Sequence, residues 1–218
     1  SRWIAWSVLG IVGLALLLTF SRASMLAFAI GLLFIGQVKG YRRFITLIAL
    51  GAALILILPQ TQAYVARFAD AFTAGDLATQ MRIGEYTDSF RLIRRYPFTG
   101  VGFTGTPDND IYTDVASMYL IMANQIGLVG VGLFALTIGS VFAYGRRAWQ
   151  FARDNPELRS IHLGYHAALL TALINATADL YFFRLDFHAS ITLFWLVIAL
   201  ALAASRLAIE EGTQPTRY

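Results

Sequence analysis

Residues 119–143 read YLIMANQIGLVGVGLFALTIGSVFA, 25 positions without one Asp, Glu, Lys or Arg. The hydrocarbon core of a bilayer is about 30 Å thick and is crossed by about 20 helical residues, so this stretch is long enough to span it. The rest of the chain decides between a membrane and a buried core. The 218 residues are 57% hydrophobic and only 14% charged, with a mean hydropathy of +0.61, which is more apolar material than one soluble core hides. Apolar runs recur at Trp3–Phe20, Ala23–Gly36, Phe44–Leu58, Ile161–Ala178 and Phe187–Ala204. One cleaved signal peptide does not account for runs that reach the C-terminal end. The pattern predicts an all-α, polytopic membrane protein of about six transmembrane helices. The second and third runs are short and are expected to recruit flanking polar residues.

Lys and Arg beside short loops set the orientation. With the N-terminal end in the cytoplasm, ten basic residues fall inside and seven outside, while the acids divide four inside and nine outside. The net charges, +6 inside and −2 outside, agree with that assignment. It leaves a short cytoplasmic tail, residues 205–218, read as disordered after Arg206, and one long outer loop, residues 59–115. Loops of that length are commonly functional. Within it, Val65, Phe68 and Phe72, and then Ile83, Tyr86, Phe90 and Ile93, step by three and four, which predicts amphipathic helices against the membrane surface or the bundle. No repeat divides the chain, so residues 1–218 read as one membrane domain.

Several chemistries fall away at once. The absence of cysteine removes disulfides, thiolate nucleophiles and cysteine metal sites. The net charge of +4 is scattered among apolar spans rather than gathered in a stripe, so nucleic acid is not an expected partner. His162 and His166 lie four apart on one helix face, but no third ligand stands near them, and packing is the simpler reading. GVGFTG, residues 100–105, matches a dinucleotide fingerprint letter for letter, yet no strand precedes it. Its glycines instead suit a tight re-entry of the chain toward the bundle, with Pro97 ending the helix before them.

Three places hold chemistry worth weighing. Arg22 is the only charged side chain between Trp3 and Gly36 and follows Ser21, a residue that can cap a helix. A helix start with a guanidinium beside it favours a phosphate, whereas a snorkelling arginine would merely reach the headgroups. RIGEYTDSFRLIRRYPF, residues 82–98, carries Arg82, Arg91, Arg94 and Arg95 on the side where basic residues are disfavoured. Pairing with Glu85, Asp88 and headgroups explains the last three; a diphosphate headgroup or an acidic glycan is the alternative. TPDNDIYTDVASMYL, residues 106–120, sets Asp108, Asp110, Tyr112 and Asp114 just before the fourth span. They form either a solvated loop or a source of a general base for a hydroxyl acceptor.

Taken in order, TFSRASMLAFAIGLLF, RIGEYTDSFRLIRRYPFTGVGF and YLIMANQIGLVGVGLF resemble the signature regions of the O-antigen ligase and polymerase superfamily, over roughly residues 14–134. The resemblance implies a bacterial inner-membrane glycosyltransferase with its active site facing the periplasm and the 59–115 loop periplasmic. It would move or polymerise a glycan, of O-antigen, lipopolysaccharide or exopolysaccharide type, from an undecaprenyl-diphosphate carrier to a glycan or lipid acceptor, with no metal and no cofactor. Arg22 and Arg82 fall on the family's diphosphate-binding arginines; Arg91, Tyr112 and Ser117 are further candidate substrate contacts. The family's base falls on Ala116, which cannot take a proton. Three explanations stay open: a replacement that traps a ligand, a role assumed by Asp114, or an inactive chain. Family members usually carry more helices before the arginine motif, so the chain resembles a C-terminal half. A lipid-linked glycan flippase and a non-catalytic subunit of an assembly complex are the rival readings, although no internal repeat supports a transporter.

Overall fold

The computed structural model describes residues 2–19, 21–38, 42–43, 45–46, 49–50, 77–103, 115–184 and 188–213. The described regular structure is all helical: α1 (Arg2–Leu18), α2 (Arg22–Gly36), α3 (Leu77–Arg95), α4 (Met118–Ala152), α5 (Pro156–Asn175) and α6 (His188–Thr213). Most of the predicted third span, Phe44–Leu58, lies outside the described residues, as do Val65, Phe68 and Phe72, the acidic stretch 104–114, and residues 214–218.

The helices form where the sequence favours them. Asn155 caps α5 by accepting from the Glu157 and Leu158 amides at 2.9 and 3.4 Å, and Pro156 supplies a first residue with a preset φ. α4, α5 and α6 pack on one another, with α2 against α5 and α3 against the first part of α4. Met118, Met122, Leu169, Phe194 and Ile198 fill the space between the long helices. Phe182 stacks on Phe194 with ring centroids 5.1 Å apart.

α4 and α6 are long and apolar enough to cross a membrane; Ser7–Leu16 in α1 and Ala23–Gly36 in α2 are apolar but shorter. Only 17% of the most apolar window of α4 is buried within the protein. Leu133 and Leu136 are 62% and 72% exposed. A core helix of a soluble protein hides such residues, so this outward apolar face is one that suits lipid.

The apolar stripe of Ile83, Tyr86, Phe90 and Ile93 was expected against the membrane surface or the bundle. In α3 Ile83 and Phe90 are exposed, whereas Ser89 and Leu92 are fully buried on the side that packs on α4. Ser89 wins a place in that seam because its hydroxyl has a buried partner, Asn124. The tail predicted to be disordered after Arg206 is helical as far as Thr213. Ala208 is buried there, beside Ala148 and Ala152, and Arg206 bonds Glu210 one turn on at 2.6 Å.

Candidate functional site

The start of α2 is a capped helix end. Ser21 Oγ accepts from the Ser24 amide at 3.4 Å and shares a hydrogen bond with Ser24 Oγ at 2.8 Å. Ser24 Oγ in turn donates to Asn175 Oδ1 at 2.9 Å, at the last residue of α5. The capping expected of Ser21 is therefore observed, and Arg22 is the first residue of the helix it caps. Unpaired amides and the positive end of the helix dipole gather at such a terminus.

The next residues of the chain after Asn175 hold α4. The Met118 amide donates to the Ala176 and Asp179 carbonyls at 2.9 and 2.8 Å. Ser117, in extended conformation, stands at the N-cap of α4 and is nearly buried. Its amide donates to the Val115 carbonyl at 2.7 Å. The starts of α2 and α4 are thus tied together through the end of α5.

α3 closes the same corner. Glu85 Oε2 accepts from the Ala116 amide at 3.2 Å. Arg82 precedes Glu85 by three positions and so shares its face one turn earlier, exposed to solvent. Farther along the seam, Ser89 Oγ donates to Asn124 Oδ1 at 3.0 Å. Asn124 is 1% exposed, and its Nδ2 has no hydrogen-bond partner among the described residues.

The turn after α3 fixes this corner through a break in α4. Gly127 has φ 70° and ψ 179°, so the helix opens there. Residues 97–102 fill the opening: the Val101 and Gly102 amides donate to the Asn124 and Gln125 carbonyls at 2.8 and 2.9 Å, and Pro97 and Phe98 carbonyls accept from Leu128 and Val129 at 2.8 and 3.4 Å. Gly100, at φ 66°, lies so close that a Cβ on it would stand 2.5 Å from the Asn124 carbonyl oxygen. The glycines of GVGFTG that the structure describes do serve a close re-entry of the chain.

A family model described as O-antigen ligase matches residues 7–135, more than half of the chain. The chain belongs to the O-antigen ligase family. The match runs from α1 into α4, so it contains Ser21, Arg22, Arg82, Glu85, Ala116, Ser117 and the break at Gly127. No curated protein and no solved structure matches the chain.

In this O-antigen ligase family member, Ala116 and Ser117 are held beside Glu85, one turn of α3 from Arg82, and Arg22 opens α2, whose Ser24 reaches the end of α5. Arg91 does not join them in the same way, because it pairs with Asp88 at 3.0 Å on the exposed side of α3. Tyr112 and Asp114 lie outside the described residues. Asp179, beyond the end of α5, accepts from the Tyr181 amide at 3.2 Å.

His162 and His166 are elsewhere, buried on α5 with ring centroids 4.2 Å apart. They pack against Trp149 and Phe142 at 5.9 and 6.0 Å, beside Gly145. Among the described residues, no three His, Cys, Asp or Glu side chains gather as metal ligands.

Sequence reading missed the roles of Glu85, Ser24 and Asn124. Glu85 stands three residues after Arg82, the spacing of neighbours on a helix, and that was the available signal. Its partner, an amide 31 residues away, was not visible.

Proposed function

We propose that this chain is a membrane glycosyltransferase of the O-antigen ligase and polymerase type. In this reading it takes a glycan from an undecaprenyl-diphosphate carrier at the periplasmic face of the bacterial inner membrane and delivers it to a glycan or lipid acceptor. The observation that carries the proposal is the series of hydrogen bonds that links the capped start of α2, opened by Arg22, through the end of α5 to the 116–117 segment, and from there to Glu85, one turn from Arg82.

The transfer is an inverting displacement. An acceptor hydroxyl attacks the anomeric carbon, its proton passes to a base, and the bond to the carrier diphosphate breaks with its electron pair. Diphosphate is a good leaving group, so the protein's work is to position it and stabilise its growing charge. Guanidinium forks and helix-end amides do this without a metal. An apolar trough of about 470 Å³ between α1, α2 and α5 supports the lipid side of the reading. It reaches Ser24 and Asn175 at the capped end and is lined mainly by side chains such as Leu16, Phe28 and Phe182. An isoprenoid tail lying there would bring its diphosphate to the start of α2.

The full chain, purified in nanodiscs and given an undecaprenyl-diphosphate-linked oligosaccharide with an acceptor glycan, tests this. A new glycosidic product with release of undecaprenyl diphosphate is the expected result. Movement of the lipid between leaflets without product would indicate a flippase. Neither event would indicate a non-catalytic subunit, the reading that alanine at position 116 favours.

A further inference from the structure

From the geometry at Ala116 we infer that Glu85 is the general base of the transfer. The inference rests on the glycosyl-transfer reading above and names the group that this reading lacks. Alanine at position 116 has no proton acceptor, yet a carboxylate oxygen stands 3.2 Å from its backbone nitrogen. That is within a side-chain length of wherever a basic residue at 116 would act. The Glu85 carboxylate offers about four lone-pair sites. The Ala116 amide occupies one, and Glu85 makes no other hydrogen bond among the described residues. The amide holds the carboxylate in place and leaves its remaining lone pairs for a substrate hydroxyl.

The neighbouring charge is arranged to match. Arg82 stands one turn away on the same face of α3, with Cβ atoms about 5–6 Å apart at that helical spacing. Inversion requires the base and the leaving group on opposite sides of the sugar carbon. Glu85 and Arg82, on successive turns of α3, would take the acceptor and the leaving diphosphate respectively. The step balances: Glu85 takes the hydroxyl proton, the acceptor oxygen bonds to the anomeric carbon, and the carbon–oxygen bond to diphosphate breaks toward Arg82.

Glu85→Gln separates chemistry from structure, because its amide oxygen can still accept from the Ala116 nitrogen. With the full chain in nanodiscs, E85Q is expected to lower transfer about 10²–10⁴-fold, the usual contribution of a positioned base. Binding of the lipid-linked donor should be unchanged. Adding Ala116→His to E85Q is expected to restore transfer, which a purely structural role for Glu85 does not allow. Transfer by E85Q within threefold of the unsubstituted protein overturns the inference while leaving the glycosyltransferase reading intact. A failed rescue together with equal loss of donor binding also overturns it, since Glu85 would then only hold the site together. No transfer by the unsubstituted protein overturns both readings.

Discussion

Arg22 follows a serine that caps its helix, and that pair was legible in the linear sequence because both the cap and the cost of a lone charge are local matters. Arg22→Ala is expected to abolish glycan transfer while the protein still inserts and accumulates, checked by product formation beside a membrane-fraction immunoblot. Arg22→Lys keeps the charge but loses the planar fork, so at least a tenfold loss of transfer is expected from it too. Unchanged transfer in both would remove the diphosphate role. The partners of these residues were not legible. Ser24 reaches Asn175, 151 positions away, and Glu85 reaches a backbone amide; neither link has a periodicity that a sequence can display.

The helices themselves were well marked, because apolar runs and caps are properties of contiguous residues. The predicted start of the fourth span lies one residue from that of α4, whereas its end falls nine residues short, since a helix continues through Arg146 and Arg147 once its backbone bonds are running. The break at Gly127 sits inside an apolar run and gave no sign of itself. Gly127→Ala is expected to destabilise the protein by at least about 1–3 kcal/mol, the scale for a residue held in a sparsely populated conformation. An added Cβ would also press on the Phe98 and Thr99 backbone. Gly132→Ala, five residues on, meets nothing within 4 Å and is expected to be neutral or stabilising. Thermal unfolding of both variants in detergent checks the pair, and equal melting temperatures would contradict the wedged turn.

At the scale of the molecule, the all-helical character was readable from composition, while the number of crossings was not. Length and apolarity single out α4 and α6. α5 begins with Glu157, Arg159 and His162, and α1 and α2 hold shorter apolar windows, so packing rather than hydropathy decides their place. The single-domain reading with a periplasmic 59–115 loop is testable in the same way as sidedness. The chain has no cysteine, so a single introduced one reports cleanly. Arg94→Cys is expected to react with a membrane-impermeant maleimide in intact spheroplasts, and Glu211→Cys only after permeabilisation. The opposite pattern would invert the proposed orientation. The seam between α3 and α4 also bears on how the molecule is made. Amides and carbonyls opened at Gly127 find their partners in residues 97–102. The segment 97–102 that covers them leaves the ribosome first. The seam therefore closes only once the later helix has been made, so the two are completed together as a clasp.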